Sequence, residues 1–141
     1  MSASFFLDSN IFVYMFDHSA QEKQKITKNL FEKAHSSQNG QISIQVLQEF
    51  TNVATRKFEV PLTFLDLQSF LLMGLRPLCK VHTDVNLIAR ALRIRDATEY
   101  SFCDSLIVAS ALSGGCSILY SEDFQHDQEI EGLVIKNPFI K

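Results

Sequence analysis

The stretch Asp104–Asp123, DSLIVASALSGGCSILYSED, decides how this chain is read. Asp104–Leu112 is apolar nearly all round, which marks a central helix buried on every side. Gly114 and Gly115 stop it. Ser117–Tyr120 then forms a short strand, and Ser121, Glu122 and Asp123 follow at once. A buried helix feeding a strand that ends on acids is half of an α/β unit. In open parallel sheets ligands bind beyond the carboxyl ends of the strands, so an acid placed there is a candidate functional residue.

Working outward, the same alternation covers the chain. Ser4–Leu7 is a β run ending at Asp8, and the dense apolar set Ile11, Phe12, Val13, Met15 and Phe16 marks a buried piece. A helix is predicted over about Gln21–His35, with Ile26, Leu30, Phe31 and Ala34 at helical spacing. SSQNG at Ser36–Gly40 is a turn signal, and Gln41–Ile44 is a second strand. Val46–Phe58 reads as the next helix, Pro61 suits the first turn of one running to about Leu72, and Leu78–Val81 is a third strand. Thr83–Arg95 is amphipathic, with Leu87, Ile88, Ala91 and Leu92 inward and Arg90 and Arg93 outward. Leu133–Ile135 closes the series as a last strand. Strands alternating with helices predict an α/β sandwich around a mostly parallel central sheet, one domain over residues 1–141.

Composition narrows the function classes. With 46% hydrophobic and 21% charged residues the chain is globular, not disordered. No run reaches the roughly 18–20 apolar residues of a membrane span. The opening MSASFFLDSN has no basic n-region and meets Asp8 early, so it does not read as a signal peptide. Cys79, Cys103 and Cys116 are an odd, widely spaced set, read as reduced, buried thiols of a cytoplasmic protein. A net charge of -3 argues against a broad basic surface for nucleic acid and leaves room for a local strip. Lys23, Lys25, Lys28, Arg56 and Lys57 line an RNA groove or form a solvated face; Arg90 and Arg93 carry the same two readings.

Four acids lie in apolar surroundings: Asp8 after Phe5–Leu7, Glu49 beside Phe50 within a helix, Asp104 opening the buried helix, and Asp123 after Ile118–Tyr120. An ionised carboxylate in such a place is costly without a partner, and no Lys or Arg closely flanks Asp8, Asp104 or Asp123. If the four converge, their repulsion calls for a divalent cation, and carboxylates without His or Cys suit hard Mg²⁺ or Mn²⁺ better than Zn²⁺. Each acid also has a structural reading. Asp8 caps a helix, Asp104 belongs to a capping-box-like Ser101–Asp104 start, Asp123 sits in a surface turn, and Glu49 is an exposed helix residue. Cys79 and His82 lack the further ligands of a zinc site. Asp8–Ser9–Asn10 lacks the second acid of a phosphotransfer motif, and His18, His35, His82 and His126 are surface histidines without common spacing.

Four blocks carry a resemblance: FFLDSNIFVYMFD (Phe5–Asp17), ISIQVLQEFTNV (Ile42–Val53), FCDSLIVASAL (Phe102–Leu112) and ILYSEDFQHDQEIEGLVIKNPF (Ile118–Phe139). In this order and spacing the sequence resembles the PIN-domain ribonucleases, especially the VapC-like toxins of VapBC toxin–antitoxin pairs. The resemblance implies a PIN-like α/β/α sandwich and a metal-dependent endoribonuclease that hydrolyses RNA phosphodiesters to a 5′-phosphate and a 3′-hydroxyl. It implies Asp8, Glu49, Asp104 and Asp123 as catalytic, metal-binding acids for Mg²⁺ or Mn²⁺, with Asn10 and Ser121 as supporting polar residues. It also implies a cognate antitoxin that covers the active site, and a homodimer. The apolar excess of Phe64–Leu75 is either a partner face or core. An RNA-processing nuclease without antitoxin and a non-catalytic PIN-like module are the competing readings.

Overall fold

The structure is a computed structural model that describes residues 3–58 and 61–140. Its elements run β1 (Phe5–Leu7), α1 (Ser9–Tyr14), α2 (Gln21–Ser37), β2 (Gly40–Ser43), α3 (Ile44–Arg56), α4 (Phe64–Ser69), β3 (Cys79–Val81), α5 (Val85–Thr98), α6 (Phe102–Ser113), β4 (Ile118–Tyr120), β5 (Glu129–Ile130) and β6 (Leu133–Lys136). Between α4 and β3 the chain winds through a π-helical turn, Phe70–Leu75, and a 3₁₀ turn, Arg76–Leu78.

One six-stranded sheet is ordered β3-β2-β1-β4-β6-β5. All pairings are parallel except β5 with β6. From β1 the chain steps outward to β2 and β3, then returns to place β4 on the other side of β1. Right-handed crossovers therefore put α1–α4 on one face and α5 and α6 on the other. The strand order reverses between β1 and β4, so the crevice beyond their carboxyl ends is the topological switch point.

The strands are short and doubly covered. Phe5, Phe6 and Leu7 of β1 are all buried, as a central parallel strand requires. On the α1–α4 face, Phe12, Phe16, Phe31, Phe50 and Phe70 meet in ring contacts, mostly edge-to-face or tilted. On the other face α6 buries every residue from Ser105 to Ala111, as its all-round apolarity requires.

Several expectations shift. Ile44 opens α3 instead of closing β2, because Ser43 caps the helix through Val46 N. The helix expected to open at Pro61 opens at Phe64, where the Thr63 side chain accepts from Asp66 N. The helix expected from Thr83 opens at Val85, capped by Asp84. Helix α5 is outermost and rests on α6, so it needs only the stripe Leu87, Ala91 and Ile94; Ile88 and Leu92, expected inward, are exposed along with Val85. Cys103 is an exposed thiol on the first turn of α6, Cys79 is half-buried, and only Cys116 is buried. His35 and His126 are half-buried, not surface, histidines: His35 Nε2 donates to the Gly74 carbonyl, and His126 Nδ1 accepts from Asn137 N. Strand β5 has no counterpart among the elements expected from the sequence.

Candidate active site

Asp8 is the first residue after β1, and its backbone N–H still donates to Tyr120 of β4. The side chain turns into the protein, where it is 4% exposed. One carboxylate oxygen, Oδ1, accepts from Ser9 N at 2.7 Å and caps α1; Oδ2 accepts from Ser121 Oγ at 2.7 Å. The capping reading of Asp8 thus holds through Oδ1, and Oδ2 is taken by Ser121. Burial pushes this carboxyl up to about 7; the Ser121 and Ser9 hydrogen bonds resist the rise, and Glu49 and Asp123 add to it.

Ser121 is the hub. It is fully buried, donates to Asp8, and accepts from Asp123 N at 3.1 Å and from Asn10 Nδ2 at 3.4 Å. Asp123 is exposed, and its Oδ2 accepts from Asn10 Nδ2 at 3.0 Å. Asn10 therefore ties the first turn of α1 to the loop after β4. Its own Oδ1 is buried and has no hydrogen-bond partner.

The other two acids come from opposite faces of the sheet. Glu49 stands one to two turns into α3, half-buried; burial raises its carboxyl, bonds from Ser9 and Gln45 oppose the rise, and Asp104 and Asp123 add repulsion. Asp104 sits in the first turn of α6, where its N–H donates to the Ser101 hydroxyl at 3.1 Å. Burial raises it too, with Ser101 opposing and Asp123 adding to the rise. Glu49 and Asp123 thus each feel the charge of both Asp8 and Asp104 around the switch point. None of the ion pairs among the described residues involves them. Nor, among the described residues, do three His, Cys, Asp or Glu side chains close on a single point as a finished metal cage would.

The donor chemistry fits a hard divalent ion. Every candidate group offers oxygen, and the unpaired Asn10 Oδ1 adds an acceptor with nothing to accept. Asp8, Glu49, Asp104 and Asp123 are the residues that could hold such an ion.

Sequence reasoning missed Ser9, whose backbone and hydroxyl serve Asp8 and whose side chain serves Glu49. Its signal was its place between Asp8 and Asn10. It also missed Gln45, which lies close to Glu49 and whose Nε2 donates to the Cys103 carbonyl at 2.9 Å, pinning α6 to α3. Lys23, read as groove or solvated face, pairs with Glu122.

The profile of the PIN domain matches residues 5–128. The chain belongs to the PIN-domain family. Its PIN fold is similar to that of VapBC2 from Rickettsia felis, solved bound to a DNA fragment from its promoter. That match has 19% identity and a TM-score of 0.62, and covers 94% of this chain and 96% of the other. It is also similar to VapC20 of Mycobacterium tuberculosis, a sarcin–ricin loop cleaving toxin. There the identity is 19% and the TM-score 0.58, with 85% of this chain and 92% of the other covered. At such identities the likeness is one of fold. No curated protein sequence matches the chain. PIN nucleases as a family work with divalent metal ions, which the all-oxygen donor set of this PIN domain suits.

Proposed function

We propose that this protein is a metal-dependent endoribonuclease toxin of the VapC type, acting in the cytoplasm and neutralised by a cognate antitoxin. The observation that carries this reading is the gathering of Asp8, Glu49, Asp104 and Asp123 at the switch point of a PIN fold with no cation paired to any of them. A binding module gains nothing from four acids that repel one another, three of them buried or half-buried.

In this reading Asp8 and Asp104 hold the principal ion, Mg²⁺ or Mn²⁺, and Glu49 and Asp123 complete the site. The bound ion would supply charge stabilisation at the scissile phosphate and a more acidic water. The rest is done by the chain. Ser9 and Ser121 keep Asp8 in one rotamer and favour its ionised form. Asn10 fixes Asp123, and Ser9 and Gln45, close beside Glu49, favour its ionised form. Glu49, half-buried beside Asp104 and Asp123, is placed to order the attacking water. Hydrolysis leaves a 5′-phosphate and a 3′-hydroxyl.

Two features of the surface support the proposed partners. One turn along α1 and α3 from Asn10 and Glu49 lies a hollow of about 340 Å³ whose apolar walls are Val13, Phe16, Val53 and Phe58. Its apolar walls suit an apolar segment of the antitoxin. Phe64, Leu65, Leu72 and Met73 near α4, and Val85, Ile88 and Leu92 on α5, stand exposed and support self-association as a homodimer.

Cleavage of total cellular RNA by the purified protein tests the reading, in Mg²⁺, Mn²⁺ or EDTA, with Asp8→Asn and Asp104→Asn beside it. Discrete bands that require metal and both acids are expected. Metal-dependent cleavage retained by either variant overturns the site assignment.

A further inference from the structure

Glu122 stands between the site's hub, Ser121, and its most exposed acid, Asp123, yet it points elsewhere. Its Oε1 accepts from the Tyr14 hydroxyl at 2.6 Å, and its Oε2 pairs with Lys23 Nζ at 2.5 Å. The same ammonium lies 3.3 Å from the Tyr14 oxygen, 4.6 Å from the centre of the Tyr14 ring and 5.0 Å from that of Phe139. Tyr14 and Phe139 meet edge-to-face at 5.2 Å. One carboxylate is thus gripped by a hydroxyl from α1 and an ammonium from α2, against two rings.

We propose that Tyr14, Lys23 and Glu122 form a clamp that positions the Ser121–Asp123 loop for metal binding. The spacing carries the argument. Asn10 and Tyr14 are four residues apart on α1, so their side chains share one face. Asn10 reaches Asp123 and Tyr14 reaches its neighbour Glu122, so one helix face holds two consecutive loop residues. Without the Glu122 contacts the loop hangs on Asn10, on the hydroxyl of Ser121, on the Ser121 N–H to Lys136 bond and, at its far end, on Phe124, buried against Tyr100; none of these fixes the Glu122 backbone between them. A lone exposed ion pair does little. This one is half-buried, shared among three polar groups and stacked on two rings, which makes it a network. Residues that orient metal ligands without touching the metal typically change affinity about 10–100-fold.

The clamp rests on the assignment of the acids to a divalent ion, and two readouts on the full-length protein separate the two claims. Hydrogen exchange of the amides of residues 121–124, measured by mass spectrometry in EDTA, reports the loop with no metal present. Calorimetric titration with Mn²⁺ reports the site. Tyr14→Phe changes no charge and keeps the ring on Phe139; exchange at 121–124 is expected to rise and Mn²⁺ affinity to fall about tenfold. Lys23→Met removes a positive charge near the acids, which by Coulomb's law alone would strengthen Mn²⁺ binding. Positioning predicts that it weakens, and that Lys23→Arg, which can still grip Glu122 with two N–H groups, restores it. Unchanged exchange in Tyr14→Phe and Lys23→Met overturns the clamp whatever the metal does. Faster exchange with unchanged affinity overturns its link to the acids. Wild-type protein that binds no Mn²⁺ overturns the metal assignment, and the positioning role with it. Circular dichroism of each variant keeps a folding defect from being read as a lost clamp; Lys23→Arg decides the matter should Lys23→Met fail to fold.

Discussion

Replacing Asp8 by Asn should stabilise the metal-free protein at alkaline pH, although it removes the residue assigned the central role in the site. The Asp8 carboxyl sits at about 7 in the folded chain, from an ordinary value of 3.8, because burial outweighs the hydrogen bonds from Ser121 and Ser9. Between these two values the unfolded chain has lost the proton that the native state keeps, so native stability falls as pH rises. At 1.36 kcal/mol per pH unit the loss reaches about 4 kcal/mol above pH 7. An amide carries no such penalty. It keeps the acceptor for Ser9 N but places an NH₂ group opposite the Ser121 hydroxyl, which already accepts from Asp123 N. One compromised hydrogen bond costs about 1 kcal/mol, which leaves roughly 3 kcal/mol in favour of the Asp8→Asn variant, or about 10 °C in melting temperature for a chain of this size. Thermal melts in EDTA should show the two proteins close together near pH 4 and Asp8→Asn melting higher by pH 8. Adding Mn²⁺ should narrow or reverse the order, since a ligand present at 100 times its Kd adds about 2.7 kcal/mol to the protein that binds it. An Asp8→Asn variant that melts at or below wild type in EDTA at pH 8 would refute the reasoning.

The remaining predictions concern the frame around the site. Ser101→Ala removes the oxygen that caps α6 and bonds Asp104, and should cost about 1 kcal/mol in urea unfolding while raising the Asp104 carboxyl further. Gly40→Ala places a Cβ 2.2 Å from Ala34 Cβ and 2.7 Å from its Cα. Helix α2 must then move off β2, and a loss of about 3 kcal/mol should appear in the urea midpoint. Leu92→Glu on the outer face of α5 should leave stability within about 0.5 kcal/mol. If the protein self-associates through α5, light scattering will report wild type as a dimer and the variant as a monomer; a dimeric variant would place the contact on another surface, and a monomeric wild type would refute the dimer.

The fold was legible where one residue type had one physical use. DSLIVASAL has no polar face to offer water, so it had to be a central helix, and α6 is buried from Ser105 to Ala111. The stops at Asp8 and after Tyr120 were legible because short apolar runs ended abruptly in acids. Helix α5 departs from expectation for the opposite reason: Leu87, Ile88, Ala91 and Leu92 make a stripe wide enough for two neighbours, and the helix packs chiefly on α6, which covers Leu87 and Ala91 and leaves Ile88 and Leu92 exposed. Strand β5 has two residues and pairs by a hairpin on the sheet edge, too short for any period to register. Within the site the four acids stood out by their surroundings. Ser9, Gln45 and the grip of Lys23 on Glu122 did not, because short polar residues and lysines occur everywhere on helices and only their distant partners give them meaning.

The cost of burying Asp8 bears on how such a site persists. A carboxylate held near neutrality by burial is an electrostatic burden of several kcal/mol in a molecule whose whole stability is about 5–15 kcal/mol. The chain could relieve it by opening the loop after β4 and letting water in. It does not, because Ser121, the residue that would have to leave, is buried and holds three partners at once, on β1's exit, on α1 and on its own loop. Ser121→Ala therefore tests the frame more sharply than loss of any one acid. It leaves Asp123 N without its acceptor, removes one acceptor from Asn10 and strips Asp8 of its Oδ2 partner, so the Asp8 carboxyl should rise above about 7. Any metal-dependent cleavage by the variant should then need a more alkaline pH than wild type, since Asp8 must shed its proton before an ion can bind. Profiles measured from about pH 6 to 9 would show the acid limb displaced upward. A limb that stays in place would mean that the ion, not Ser121, sets the state of Asp8.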